Sequence, residues 1–184
     1  MPSLYRIDRA DVITAVNADW DAFAAENAGD QLSARHVLGR VLWEFISDPE
    51  TTQIYRGVFH RLREGAVVPP LPFRCDSPTL RRFMELRMRA VQDGALELEA
   101  RLLRAEPREA VALLETDAER DAGLLRICGW CKRVAVAEGD WREVEEAVRQ
   151  LGLLERYPLP ALTHTMCGDC LARLYGCHED DDDG

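Results

Sequence analysis

Two pairs of cysteines in the last third of the chain are the residues best suited to chemistry. Cys128 and Cys131 form one Cys-x-x-Cys pair, and Cys167 and Cys170 form the other, with residues 132–166 between them. Four thiolates at this spacing match the tetrahedral ligand set of a structural zinc ion. Because four cysteines close the shell, no position is left open for a substrate. The pattern predicts one structural zinc ion per chain.

The same cysteines allow three other interpretations. A redox Cys-x-x-Cys pair is disfavoured, because such motifs normally sit on a strand–helix–strand unit that the sequence does not show here. An iron–sulfur cluster, or four reduced cysteines without metal, also stays open. The alternative function that follows is a redox or metal switch, in which oxidation ejects zinc and changes partner binding.

Two residues near the cysteine pairs could join the metal site. His164 precedes Cys167 by three residues and is either a ligand or sulfur hydrogen-bond donor, or a packed structural histidine, which is favoured. Cys177 and His178 lie just before the acidic tail and are expected to be exposed bystanders, with ligation as the alternative.

Other candidate residues are expected to be structural. Cys75 follows Arg74, which could activate a thiol, but burial beside a strand is favoured. His60 lies near a predicted helix end, where a cationic histidine is favourable, and haem ligation is the less favoured role. Four aromatic residues are expected to form core rather than a ligand pocket: Trp20, Phe23, Trp43 and Phe59.

Composition narrows the function classes. The chain carries a net charge of −10 and shows no basic stripe, so we expect no nucleic-acid partner. No run of 18 apolar residues and no secretory signal are seen, which predicts a cytoplasmic protein without a membrane span. No phosphate loop and no nucleophile–base set can be assembled, so we expect no enzymatic activity.

Local signals predict most elements of the first hundred residues. Residues 5–17 predict one or two strands, with Asn17 capping a helix that Gly29 can end, and a second short helix is expected over residues 37–46. Asp48, Pro49 and Gly65 mark the start and end of a third helix. The proline-rich segment that follows, which includes Cys75, is expected to be an extended edge.

Alternating apolar residues predict two strands over 82–91 and 95–104, joined by a turn at Gln92, Asp93 and Gly94. One long helix is the disfavoured alternative, because the alternation recurs on both sides of the turn. Residues 107–126 are expected to be helical. A further helix is expected from an Asp140 and Glu143 capping pair to Gly152, with Val144, Ala147, Val148 and Leu151 on its core face.

Residues 5–105 resemble a PAS domain, a five-stranded antiparallel sheet with helices over one face. The segments that carry the resemblance are VNADWDAFAAEN, VLGRVLWEFI and the strand pair around QDG. The resemblance implies an α+β fold and a sensor that binds a small ligand or a protein. It also makes a homodimer plausible, and it leaves the ligand unknown.

The C-terminal part resembles a cysteine-rich module found beside sensor domains in bacterial signalling proteins, which reads C-x-W-C-K-R and then H-x-x-C-x-x-C. The matching residues are Cys128, Trp130, Cys131, Lys132, Arg133, His164, Cys167 and Cys170. The expected organisation is a PAS-like domain (1–106), a helical connector (107–124), a treble-clef-like zinc module (125–177) and a disordered acidic tail (178–184). The resemblance implies a signalling or adaptor protein whose partner is unknown.

Overall fold

A computed structural model of the chain describes residues 2–26, 30–46 and 48–175. The chain divides into two compact units. Unit 1 comprises Met1–Pro72 and Met84–Arg104, and unit 2 comprises Phe73–Phe83 and Ala105–Gly184. The predicted α+β class is confirmed, while the domain boundaries expected from the sequence stay a prediction.

The first sheet has five strands in the order β2-β1-β5-β4-β3. Strand β1 pairs antiparallel with β2 and with β5, and Tyr5 lies opposite Leu98. The strands are β1 (Ser3–Ile7), β2 (Ile13–Val16), β3 (Leu71–Arg74), β4 (Leu80–Ala90) and β5 (Leu96–Pro107). The proline-rich segment therefore supplies an edge strand, as predicted, because β3 is outermost.

Among the described residues between β2 and β3, the chain forms three α-helices. They are α1 (Ala18–Glu26), α2 (Ala34–Val37) and α3 (Pro49–Arg63). Asn17 caps α1 through its side-chain oxygen, which accepts from the amides of Trp20 and Leu4. Asp48 caps α3 by accepting from the Thr51 amide at 2.7 Å, and Gly65 follows in the left-handed region. Both predicted caps are confirmed, and Gly29 lies outside the described residues.

Strands β4 and β5 form the predicted hairpin. Asp93 and Gly94 both have positive φ in the connecting turn, a conformation that Asp tolerates and Gly favours. The alternation also holds over most of its length, because five side chains predicted to face the core are buried: Met84, Leu86, Met88, Leu96 and Leu98.

The opposite face of the hairpin carries a charged triad. Glu97 is 5% exposed, and it accepts from Arg6 Nε at 2.7 Å and from Arg89. Burial alone would raise the pKa of Glu97, but its two arginine partners outweigh burial and hold that pKa below its ordinary value.

The triad should make unit 1 sensitive to acid. A carboxylate with a depressed folded-state pKa contributes stability above its unfolded pKa, near 4.3, and loses it as pH falls through the folded value. We expect Glu97→Gln to lower the free energy of unfolding by about 1–2 kcal/mol at pH 7 and to flatten the loss of stability below about pH 4. Urea unfolding at several pH values measures the free energy of unfolding at pH 7 and its decrease in acid. A variant that loses stability below about pH 4 as steeply as the unsubstituted protein would contradict this role.

Unit 2 contains a second, mixed sheet in the order β8-β7-β6-β9. Its strands are β6 (Arg120–Cys128), β7 (Val134–Ala137), β8 (Asp140–Arg142) and β9 (Leu159–Thr165), and its helices are α4 (Val144–Gln150) and α5 (Gly168–Tyr175). Strand β9 pairs parallel with β6, so that Cys128 lies opposite Thr165. Because the two strands are parallel, their C-terminal ends lie side by side. Each of these ends is next to one of the cysteine pairs, so the pairing brings the two cysteine pairs together.

Two predictions for unit 2 are wrong. The helical connector over 107–126 is instead the end of β5, one 3-10 turn at Ala112–Leu114 and most of β6. Asp140 does not cap a helix either, because Asp140–Arg142 pairs with β7 as a strand. Glu143 holds the cap position of α4, without a side-chain capping bond. The predicted core face is present, since Val144, Ala147 and Val148 are buried.

Candidate metal centre

The first cysteine pair lies on the tight turn between β6 and β7. The Cys128 amide donates to the Arg133 carbonyl at 2.7 Å, and the Lys132 amide donates to the Cys128 carbonyl at 3.0 Å. Lys132 has a φ of 62°, the left-handed conformation that closes the turn. The Lys132 ammonium also donates to the Gly129 carbonyl at 2.9 Å. These hydrogen bonds fix the backbone of the turn that carries Cys128 and Cys131, so that both sulfurs lie on the same side of it.

The second pair lies where β9 runs into α5. The Leu171 amide donates to the Cys167 carbonyl at 3.0 Å, which makes Cys167 the residue from which the helix starts and places Cys170 in its first turn. Strand pairing fixes the approach of this segment, because the Gly129 amide donates to the Thr165 carbonyl at 2.8 Å. A knuckle facing a helix start is the treble-clef-like arrangement that the sequence predicts.

The four cysteine sulfurs converge. All four Sγ atoms lie within 4.8 Å of one another, and the Sγ atoms of Cys131 and Cys167 are 3.7 Å apart. A tetrahedral zinc ion with bonds of about 2.3 Å separates its sulfurs by about 3.8 Å, so this set matches the size of such a site. Within the described residues, no other group of three or more potential metal ligands comes together in this way.

The surroundings of the sulfurs suit anionic thiolates. The amides of Cys131 and Cys167 both donate to Cys128 Sγ, at 3.5 and 3.4 Å. Cys128 and Cys167 are fully buried and Cys170 nearly so, whereas Cys131 is half-buried, so most of the cluster is shielded from water. Amide donors to sulfur are the second-shell contacts that orient thiolate ligands and tune the metal.

Four thiolates this close need a cation. Hydrogen bonds from the thiols of Cys131 and Cys170 lower the pKa of Cys128, while bonding to Cys128 raises the pKa of Cys131 to about 12 and also raises that of Cys170. The cluster alone thus favours one thiolate among protonated thiols, since like charges at this distance repel. A divalent metal ion would remove this restriction by displacing the remaining protons.

Two cations follow Cys131 directly. Burial lowers the pKa of Lys132, against the opposing influence of Cys75, Asp76 and the cluster thiols. Burial also disfavours the charged form of Arg133, but Cys131 and an ion pair with Asp169 at 2.9 Å outweigh it and raise its pKa. A zinc ion with four thiolates carries a net charge of about −2. These two side chains would therefore offset part of the charge of the filled site, since Arg133 also pairs with Asp169.

A buried ion-pair network lies elsewhere in unit 2, and sequence reasoning missed it. Asp76 has a side chain only 1% exposed and pairs with two nearly buried arginines, Arg74 and Arg108. Arg108 Nη1 also lies 3.1 Å from Glu145 Oε1, and Arg74 Nη1 lies 2.6 Å from Glu143 Oε2. We call Arg74, Asp76, Arg108, Glu143 and Glu145 the Asp76 network.

The Asp76 network ties the start of α4 to the knuckle. The Arg74 amide donates to the Trp130 carbonyl at 2.7 Å, inside the first cysteine pair. Burial would lower the pKa of Arg74, but its bonds to Asp76 and Glu143 outweigh burial and raise it. The network therefore supports the turn that carries Cys128 and Cys131 without contacting the four sulfurs.

The remaining candidates stay apart from the four sulfurs. His164 is exposed on β9 opposite Ile127 and lines a cleft of about 250 Å³ together with Lys132, so the structure does not place it among the ligands. Cys75 is half-buried, and burial raises the pKa of its thiol, which matches the structural role favoured for it. Cys177 and His178 lie outside the described residues.

Of the four aromatic residues expected to form core, only Phe59 is buried, whereas Trp20, Phe23 and Trp43 are half-buried. Trp20 meets Tyr5 edge-on at 5.3 Å between ring centres, and Phe59 contacts both Trp43 and Tyr55. Burial raises the pKa of Tyr55 to about 12. His60, considered above for haem, is exposed on α3. No helix in the described part of the chain has the length and apolar character needed to cross a membrane.

Comparison with known proteins finds similarity only among solved structures, because no family model and no curated protein matches the sequence. The PAS domain of the quorum-sensing receptor RpfR of Cronobacter turicensis, in complex with C12:0, is 15% identical, with 56% of this chain and 94% of that chain covered and a TM-score of 0.36. A sensory box sensor histidine kinase from Vibrio cholerae is 12% identical, with 56% and 82% covered and a TM-score of 0.39. The PAS domain of an HTR-like protein from Haloarcula marismortui is 22% identical, with 55% and 81% covered and a TM-score of 0.33.

Proposed function

We propose that Cys128, Cys131, Cys167 and Cys170 bind one zinc ion that stabilises unit 2. The convergence of the four sulfurs within 4.8 Å is the observation that carries this proposal. The amide donors to Cys128 and the cations at Lys132 and Arg133 support it, because both favour thiolate charge. The ion is structural, since four protein ligands leave no position for a substrate.

Metal analysis of the protein purified without added metal tests this proposal. We expect one zinc ion per chain by native mass spectrometry, and loss of that mass with a strong chelator or in acid, where protons compete for the thiolates. Cobalt substitution should produce the visible absorption of a tetrahedral thiolate site. A chain that purifies without metal and stays free of it in excess zinc would overturn the proposal.

We further propose that the chain is a non-catalytic, cytoplasmic signalling or adaptor protein. Its PAS-like unit 1 would receive a small ligand or a protein, and unit 2 would offer a second binding surface. The strand order β2-β1-β5-β4-β3, with three helices inserted between β2 and β3, supports the sensor role. A retained small molecule or a homodimer in the same native mass spectra would identify the input or the assembly. Turnover of a substrate, abolished by substituting a residue of unit 1, would contradict the non-catalytic role.

A redox switch is the second candidate function, and one distance favours it. The sulfurs of Cys131 and Cys167, which belong to different pairs, are only 3.7 Å apart. A peroxide could oxidise these two thiols to a disulfide, with peroxide reduced to water and zinc released. Zinc release with a change in partner binding at low peroxide would support the switch. Zinc retained in excess mild oxidant, with no change of fold, would count against it and leave the structural site intact.

A further inference from the structure

A cleft of about 390 Å³ lies in unit 1, beside the second half of α3. Its walls include two aromatic rings and four ionisable side chains: Asp11, Trp43, Arg56, Phe59, His60 and Arg63. The volume falls within the range of small-molecule sites. All of these residues belong to unit 1, so the cleft is separate from the metal centre.

The only carboxylate among these residues is already neutralised. Asp11 Oδ1 accepts from Arg63 Nη2 at 2.7 Å, and Asp11 Oδ2 accepts from Trp43 Nε1 at 2.9 Å. Arg63 is held further by the carbonyls of Gly94 and Asp8, both at 3.0 Å. Asp11 and Arg63 thus form a fixed neutral wall, and they add no net charge to the cleft.

Arg56 gives the cleft a positive surplus, and His60 adds a second hydrogen-bonding group. Arg56 and His60 are both exposed on α3, and in the described part of the chain neither side chain pairs with a carboxylate. This surplus is unusual in a chain with a net charge of −10. A cation and an imidazole one helical turn apart can both donate to the same oxyanion.

The aromatic wall orients the arginine. The Arg56 guanidinium lies 5.0 Å from the Trp43 ring centre, and Trp43 in turn packs against Phe59 at 5.6 Å. A guanidinium stacked on an indole keeps its N–H edge free for a planar or tetrahedral anion. Because Arg56 is exposed, a second planar ring can stack on the guanidinium face that points away from Trp43. The cleft therefore combines an oxyanion donor set with a flat surface for stacking.

We propose that this cleft binds a small phosphorylated compound with a planar ring, of the size of a nucleoside monophosphate. Arg56 and His60 hold the phosphate oxygens, and the ring lies against the stacked Arg56 and Trp43. None of the residues that line the cleft belongs to the four-cysteine cluster. A failure of the zinc proposal would therefore leave this proposal unaffected, and the reverse also holds.

Isothermal titration of the full zinc-loaded chain with AMP, adenosine and inorganic phosphate tests the site. We expect AMP to bind with a Kd below about 1 mM. Phosphate should bind at least about 10-fold more weakly and adenosine should not reach saturation, because each lacks half of the contacts. Rising salt should weaken AMP binding, since the contact is an exposed ion pair.

Two variants locate the binding. Arg56→Gln and His60→Gln change exposed side chains, so the fold is expected to persist, and each should weaken AMP binding at least about 5-fold. Arg87→Gln is the matched control on β4, where the arginine pairs with Glu85 at 2.8 Å outside the cleft, and should leave the Kd unchanged. No AMP binding at about 5 mM, equal binding of adenosine, or an unchanged Kd in both cleft variants would overturn the proposal.

Discussion

Replacing Cys167 with serine is expected to release the zinc ion and to unfold unit 2. Cys167 is 1% exposed, its amide donates to Cys128 Sγ, and its sulfur lies 3.7 Å from that of Cys131. A structural zinc ion contributes about 10–16 kcal/mol of apparent binding free energy in small domains, and a domain is stable by only about 5–15 kcal/mol. Loss of the ion therefore removes about as much free energy as the entire free energy of unfolding of such a domain.

The apolar core of unit 2 cannot replace the metal. Its main described cluster consists of small and medium side chains: Val111, Leu113, Ile127, Val134, Val144, Ala147, Val148, Leu153 and Leu159. None of these residues is aromatic, so the area buried by each is modest. A core of this size is the setting in which natural small domains rely on a structural metal.

Metal content and hydrogen exchange measure the effect together. We expect zinc per chain to fall from one to below about 0.2 in Cys167→Ser, and amides of β6, β7 and β9 to lose protection. Cys75→Ser is the matched control, because it removes a half-buried thiol of the same unit that lies outside the four-sulfur cluster. A Cys167→Ser protein that keeps full amide protection without zinc would show that the metal is dispensable for folding.

Local chemistry explains which elements could be predicted from the sequence. Helix α3 begins and ends where Asp48, Pro49 and Gly65 indicate, because caps act through neighbouring backbone groups. The β4–β5 hairpin follows from side chains that alternate on both sides of one turn. The four-cysteine cluster could be predicted for a similar reason, since each Cys-x-x-Cys pair is a local pattern.

The errors occur where distant residues decide the structure. Residues 107–126 carry a short helical pattern around Leu113 and Leu114, yet only one 3-10 turn forms there, and the end of the segment from Arg120 onward belongs to β6, which pairs with β9. The partner strand lies about 40 residues further along the chain, and no local signal shows it. Tertiary pairing of this kind overrides weak helix propensity.

The Asp76 network was missed because each member resembles a surface charge when taken alone. Arg74, Arg108 and Glu145 are far apart in sequence, and a buried charge can be recognised only when its partner is known. One signal was present, since Asp76 lies between Cys75 and two further turn residues in CDSP, where a carboxylate can fix the local backbone. That signal predicts a turn, but it does not predict that Asp76 pairs with two arginines.

Asp76→Ala is the second change with a large expected effect. The substitution leaves the guanidinium groups of Arg74 and Arg108 in place, with side chains 8% and 5% exposed, and removes the carboxylate that both share. Breaking a buried ion pair by removing one partner costs about 3–5 kcal/mol, because the remaining charge is buried without full compensation. Glu143 and Glu145 still pair with the two arginines, which places the expected loss near the lower end of that range.

Urea unfolding of the zinc-loaded protein measures this loss as a lower midpoint with an unchanged slope. The rate of zinc transfer to a chelator should also rise, because Arg74 holds the Trp130 carbonyl inside the first cysteine pair. Asp140→Ala is the matched control: it removes an aspartate from an exposed pair with Arg142 on β8, and it should alter neither measurement appreciably. A midpoint as little changed in Asp76→Ala as in that control, with unchanged zinc transfer, would mean that Glu143 and Glu145 suffice to neutralise both arginines. Comparing Asp76→Ala with Asp140→Ala therefore tests whether the Asp76 network holds the turn between Cys128 and Cys131 in the geometry that zinc requires, or only contributes to the stability of unit 2.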